Sequence, residues 1–118
     1  MTESEQTRDL CRLLHQCNAV VIALVAQMRR ESGLPDRFIA HRTWSGWVEF
    51  KGLHTATTDK QRWFNRELNA RGVNARIIRF CGTYLKDDIS GDTHDIPKTP
   101  QDAARFLQWL SDTQQCAH

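Results

Sequence analysis

Residues 47–51 read Trp-Val-Glu-Phe-Lys, an alternation that suits a β-strand and little else. Its period of two sends Trp47, Glu49 and Lys51 to one face and Val48 and Phe50 to the other. One face is greasy, and the other carries a carboxylate beside an amine. Ser45-Gly46 before it reads as the turn of a hairpin whose other arm is a short strand, Phe38 to His41. After it, Thr58-Asp59-Lys60-Gln61 matches the S/T-x-x-Q box that opens a helix. Trp63, Phe64 and Leu68 are the expected buried stripe of that helix, and Gly72 is a natural C′ residue. Val73 to Phe80 follows as a strand.

The rest of the chain extends this pattern. Leu10, Leu13, Leu14 and Cys17 fall at i, i+3, i+4, i+7, so residues 3–16 form an amphipathic helix, with Thr2 and Glu5 as its capping box. The Val- and Ile-rich run Ala19 to Met28 is expected to be a buried strand, the alternative being a continuation of the helix. Gly33 and Pro35 then punctuate the chain. Residues 82–98, acidic and holding Gly91 and Pro97, read as a long loop. Thr99-Pro100 caps a last helix with Ala103, Phe106, Leu107 and Leu110 on its inner stripe. The order α-β-β-β-α-β-α implies an α/β class: a mixed β-sheet flanked by helices around one core. A chain of 118 residues suffices for one domain and is too short for two ordinary ones.

Composition narrows the function classes. The chain is 40% hydrophobic and 25% charged, the balance of a soluble globular protein rather than a fibre or a disordered tail. The longest apolar run, Ala19 to Ala26, is eight residues, far short of a membrane span. The first residues are polar and acidic, so no secretory signal is expected, and a cytoplasmic location follows. Cys11, Cys17, Cys81 and Cys116 form no C-x-x-C pair and are expected as free thiols. A zinc site of Cys11, Cys17 and a histidine fits no standard ligand spacing. The net charge of +2 conceals an asymmetry: residues 1–80 hold 13 Lys and Arg against 8 Asp and Glu, and residues 81–118 hold 3 against 6. A basic body suits a partner that carries phosphate.

Pro35-Asp36, Glu49-Phe50-Lys51 and Gln61 fall where strands end or run side by side. Phosphodiester hydrolysis needs a divalent metal, hard oxygen ligands to hold it, and a cation near the attacking water and the developing charge. Asp36 and Glu49 supply carboxylates, and Lys51 stands one pleat from Glu49 on the same face. Each residue also has an ordinary explanation. Asp36 after proline suits a turn, Glu49 and Lys51 suit the solvated face of an edge strand, and Gln61 and Glu5 suit helix caps. Those explanations do not require the residues to occur in this order and spacing.

With G-x-P-D at Gly33–Asp36, W-V-E-F-K-G at Trp47–Gly52, and Gln61 two residues before Trp63, the sequence resembles the PD-(D/E)XK nuclease superfamily. Within it, the small stand-alone VRR-NUC type, common in phage and prophage, is the nearest likeness. The resemblance covers about residues 3–80 and implies a restriction-endonuclease-like α-β-β-β-α-β core, with residues 81–118 outside it. It implies that Asp36 and Glu49 hold Mg2+ or Mn2+, with the Phe50 carbonyl as a further ligand. Lys51 would orient or activate the water, and Gln61 would position Lys51 or a water. A glutamate of the first helix would join the metal, Glu5 ahead of Glu3. The implied activity is hydrolysis of branched or flapped DNA, such as four-way junctions, by a homodimer. The short segment from Arg29 to Ser32 and the tryptophans Trp44 and Trp47 around the hairpin turn depart from the pattern and bear on specificity.

Arg29, Arg30, Arg37 and Arg42 flank the expected site, and Arg62, Arg66 and Asn69 form a stripe on the following helix; arginine suits phosphate. Glu67 nearby fits a merely solvated face. His41 and His54 read as loop bystanders, and Trp44 as either a base-stacking or an interface residue. Two other functions share these features. One is an inactive nucleic-acid-binding module on the same fold. The other is a protein-interaction factor of a mobile element acting through residues 82–98 and the last helix.

Overall fold

The computed structural model describes residues 1–24 and 33–113. Their elements run α1 (Glu3–Gln16), β1 (Val20–Ala23), β2 (Arg37–Ala40), β3 (Gly46–Lys51), α2 (Asp59–Ala70), β4 (Ala75–Cys81), β5 (Tyr84–Asp87), β6 (Thr93–Asp95) and α3 (Pro100–Asp112). The strands form one sheet in chain order, β1-β2-β3-β4-β5-β6. β3 and β4 are parallel, joined through α2, and every other neighbouring pair is antiparallel. The fold is thus a mixed sheet with three helices, as the element order implies. No helix among the described residues is long and apolar enough to cross a membrane.

The period of two divides the sheet. Val48, Phe50, Ile78, Phe80 and Leu85 face one side, where they close a core with Leu10, Leu13 and Leu14 of α1 and Phe106, Leu107 and Leu110 of α3. α1 and α3 pack together over this face. The helices begin where the sequence places their caps. Thr2 Oγ1 accepts from Glu5 N, Thr99 Oγ1 from Asp102 N, and Thr58 forms a complete box with Gln61. Trp47, Glu49, Lys51, Ala75, Ile77 and Arg79 face the other side, where α2 packs on β4.

Three expectations fail. The Ala19–Met28 run contributes only β1, a sheet edge on which Val20 and Ile22 are about half exposed, so it is not a buried strand; residues 25–28 lie outside those described. Residues 82–98 are not a loop. Gly82, at φ +74°, turns β4 into β5, and β6 then pairs with β5. Along β5, Leu85 and Asp87 point inward while Tyr84 and Lys86 point out. An aspartate at an inward position hid the strand. Asp87 is tolerated there because Arg76 pairs with it at 3.9 Å, both side chains being buried.

The third concerns α2. Its buried residue is Asn65, whereas Trp63 is exposed and Phe64 and Leu68 only half-buried. The helix turns its amides toward the sheet. Asn69 Nδ2 donates to Asn65 O and Ala75 O, and its Oδ1 accepts from Ala75 N. The physical reason is at β4, which α2 packs against: the Asn69 amide pairs both the N–H and the carbonyl of Ala75, work that an apolar side chain could not do.

Candidate active site

Glu49 and Lys51 are not the solvated side of an edge strand. β3 lies inside the sheet, and the two residues are 8% and 6% exposed. Trp47 N donates to Asn74 O at 2.9 Å, so the backbone groups of Trp47, Glu49 and Lys51 address β4 and those of Val48 and Phe50 address β2. Opposite Trp47 is Phe38, a pair that exchanges no backbone bonds, the relation in which facing side chains approach most closely. Their rings meet edge to face, with centroids 5.0 Å apart. The β2–β3 pairing ends at Arg37 and Val48, and Asp36 lies just before β2; the register extended by one residue would bring position 36 opposite Glu49.

One step further, the same extension would bring Pro35 opposite Phe50, where continuation of the ladder requires an N–H, and proline has none. Asp36 Oδ2 is held 3.2 Å from Arg37 Nη1. Arg37 itself faces α1, beside Cys11, whose thiol is pushed up by burial, with Arg37 opposing.

Two close approaches assemble this end of the sheet. Gly33, at φ +92°, lies so near the first turn of α2 that a Cβ would sit 2.6 Å from Lys60 Cγ and 2.8 Å from the Lys60 carbonyl carbon. That contact joins the G-x-P-D segment to the turn that carries Gln61. At Gly52 a Cβ would come 3.2 Å from Glu3 Cβ, which brings the start of α1 beside the end of β3. Glu3, then, is the first-helix glutamate adjacent to the E-x-K strand. Glu5 accepts from Thr2 Oγ1 at 3.1 Å and serves the cap, and Glu3 accepts from Thr7 Oγ1 at 3.1 Å.

Lys51 Nζ donates to Ala56 O at 3.3 Å. Arg79, its neighbour across the parallel pair, is wholly committed. It grips Asp88 with two bonds, Nε to Oδ1 at 2.9 Å and Nη2 to Oδ2 at 3.0 Å. It also donates to Gly52 O and Thr55 O at 2.6 Å each and to Thr57 Oγ1 at 3.0 Å, while Thr57 Oγ1 donates to Asp88. These hydrogen bonds hold Asp88 well below the ordinary carboxylate value. The clamp fixes the 52–57 connection over Lys51. The sequence signal for it was Arg79, one of two arginines, with Arg76, in an otherwise apolar strand.

Gln61 is occupied by its cap: its Oε1 accepts from Thr58 N at 3.0 Å. The expected arginines divide. Arg29 and Arg30 lie outside the described residues. Arg37 pairs with Asp36 rather than presenting to solvent. Arg42 and Trp44 sit in the β2–β3 turn, at the far end of β2 from Asp36, so neither adjoins the carboxylates. Trp44 is buried under Arg76, 5.6 Å from guanidinium to ring, and is no base-stacking residue. Arg62 and Arg66 are exposed, but Arg62 bonds Thr57 O and Asn69 is turned to β4, so the expected outward stripe is not formed. His41 is structural, bonded to Cys17 O and Thr43 N, and His54 is exposed.

Among the described residues, no group of three or more His, Cys, Asp or Glu is arranged to hold a metal, neither the zinc combination nor a carboxylate trio with Glu5. What this end of the sheet offers is the nearly buried Glu49 and Lys51 on β3 and the Asp36 carboxylate just before β2, paired with Arg37. No protein-family model matches the chain, and no curated protein matches it.

Proposed function

We propose that the chain is a metal-dependent DNA endonuclease of the PD-(D/E)XK type, near the VRR-NUC proteins, that acts on branched or flapped DNA. The observation that carries this reading is the pair Glu49 and Lys51, one pleat apart and nearly buried on one face of the interior strand β3, with Asp36 as a second carboxylate just before β2. A hard divalent cation is the partner that suits such carboxylates. Asp36, Glu49 and the Phe50 carbonyl are oxygen donors suited to Mg2+ or Mn2+; Mg2+ characteristically keeps several waters and needs few protein ligands. When bound, the ion polarises the phosphate and supplies hydroxide at neutral pH. Lys51, held by Ala56 O, keeps a positive charge at the position where it steadies developing negative charge on the phosphate. The order α1-β1-β2-β3-α2-β4 supports a restriction-endonuclease-like core, and the basic excess of residues 1–80 supports an acidic polymer as substrate in the cytoplasm.

One observation favours the inactive binding module as a second reading. Asp36 already has a cation in Arg37. The interaction factor acting through residues 82–98 and the last helix has less support, because Leu85, Phe106, Leu107 and Leu110 are core residues and a chain cut after Phe80 would lose them.

The test is cleavage of labelled duplex, single strand, flap and four-way junction with Mg2+ or Mn2+, wild type beside Glu49→Gln. Metal-dependent cutting that is lost in the variant is the expected result. Tight binding without cutting on any substrate moves the conclusion to the binding module.

A further inference from the structure

The stripe of α2 that faces away from the sheet runs Lys60, Trp63, Phe64, Glu67, Leu68 and Arg71, at i, i+3, i+4, i+7, i+8 and i+11. Trp44, Phe50, Phe80 and Phe106 are core residues, whereas Trp63 is 44% exposed. Phe64 braces the indole edge to face, with ring centroids 4.9 Å apart, and the two rings line a shallow groove with Leu68, Glu67 and Arg71. Lys60 Nζ lies 5.9 Å from both ring centroids. The carboxylate in the groove is bracketed by guanidiniums: Glu67 Oε1 lies 3.2 Å from Arg71 Nη1, and its Oε2 3.8 Å from Arg66 Nε. Residues 59–71 hold four Lys and Arg against two Asp and Glu, so the surface around the two rings is positive on balance.

We infer that Trp63 and Phe64 form a stacking subsite for one unpaired nucleobase, with the cations of α2 meeting the phosphates on either side of it. Every base has a π-face, so an open aromatic ring holds it whatever its identity, and a cation beside the ring adds to the attraction. Lys60 and Arg71 stand at the two ends of the stripe, about 16 Å apart along the helix, and can each meet the backbone of a strand laid along it. The charge decides the occupant. A second copy of α2 would bring an excess of positive charge against the same excess, whereas a strand of phosphates brings the opposite sign. Bases inside a duplex are stacked on both faces, and freeing one costs energy that an unpaired base does not owe. The contact between Gly33 and Lys60 ties the first turn of α2 to the segment that carries Asp36, so a base held on Trp63 fixes its strand relative to that carboxylate. The subsite rests on the nuclease reading for the identity of the polymer, and adds to it a residue that tells a flap or a junction from plain duplex.

The test is binding of the full chain, in EDTA, to a labelled oligothymidylate single strand and to a duplex of equal length. Anisotropy of the label reads affinity, and quenching of tryptophan emission reads stacking. Wild type is expected to bind the single strand and to lose emission as a base covers Trp63. Trp63→Ala is expected to weaken the single strand by about tenfold, the usual effect of losing one stack, and the duplex by less than about twofold. Trp63→Phe keeps a ring and is expected to stay within about threefold of wild type, with the quenching gone. The indole lies outside the core, so neither change opens a cavity there. A wild type that leaves the single strand unbound would overturn the proposal. So would wild-type affinity in Trp63→Ala, equal losses on both DNAs at an unchanged unfolding midpoint, or quenching that survives in Trp63→Phe. Cleavage separates the two readings. A chain that holds the single strand on Trp63 but cuts nothing keeps the subsite and loses the nuclease. One that cuts while Trp63→Ala binds like wild type keeps the nuclease and loses the subsite.

Discussion

Gly33 and Lys60 touch backbone to backbone: the glycine's missing Cβ is the space that the first turn of α2 occupies. Gly33 also has φ +92°, a conformation that side chains disfavour. Gly33→Ala therefore meets strain and collision together and is expected to cost about 2 kcal/mol or more. Because the contact anchors the segment that carries Asp36, metal-dependent cleavage should fall with it. Urea denaturation reads the first effect. An unchanged midpoint would show that Gly33 and α2 are not in contact.

Lys51→Met keeps most of the stem and removes the ammonium. If Lys51 steadies charge on the reacting phosphate, turnover should fall by roughly 10²–10³, the usual loss for one such donor. DNA binding and the unfolding midpoint should change little, since the lost bond to Ala56 O is a single one. Gel-shift and single-turnover cleavage measured on the same preparation separate the two. A variant that cuts at the wild-type rate removes Lys51 from the site.

The Arg79–Asp88 clamp predicts a pH dependence of stability. Asp88 is held below 3.8 chiefly by hydrogen bonds from Arg79, with burial opposing. A carboxyl whose pKa is lower folded than unfolded contributes stability that is fully present above the unfolded value and is lost as pH falls through the folded one. The contribution thus begins to fade below about pH 4 and is gone only under stronger acid. Asp88→Asn is expected to be less stable than wild type by about 2 kcal/mol at pH 7, and the gap should close as the pH is lowered toward 2. A gap that stays constant over that range would refute the linkage.

Arg76 ties the far end of the fold together. Its guanidinium donates to Leu110 O at 3.2 Å and Thr113 O at 2.7 Å at the end of α3, lies over Trp44 and pairs with Asp87. Burial pushes its pKa down, and Asp87 works against that. Arg76→Met would leave Asp87 buried without its cation, a change that costs about 3–5 kcal/mol. Adding Asp87→Asn, whose Oδ1 still accepts from Ile89 N and Ser90 N, should recover part of the loss. Purely additive effects of the two changes would mean that the pair is not coupled.

The elements were legible wherever a local device names them. Thr2, Thr58 and Thr99 cap the helices at the expected residues, and the alternation at 47–51 is β3. What failed required knowing the partner surface. Asp87 reads as a loop residue until the Arg76 guanidinium reaches it. Trp63, Phe64 and Leu68 read as core until α2 is packed on β4 through Asn65 and Asn69, whose amides serve the backbone there. The same rule decides the arginines. Sequence proximity placed Arg42 near the site, but a strand running away from Asp36 carried it to the opposite end. Glu49 and Lys51 stand together because the period of two within one strand, unlike linear distance, fixes which residues share a face.

Gln61 has two possible duties that one substitution confuses and two separate. Its side chain closes the capping box with Thr58, so Gln61→Ala should cost about 1 kcal/mol whatever the protein does. Glutamate serves the same box, so Gln61→Glu should keep the helix start and the stability. It would also add a carboxylate at the start of α2. If Gln61 serves the chemistry as well as the cap, Gln61→Glu should keep the wild-type unfolding midpoint and lose cleavage, or shift its metal preference. Wild-type turnover in a fully stable Gln61→Glu variant would leave Gln61 with the cap alone.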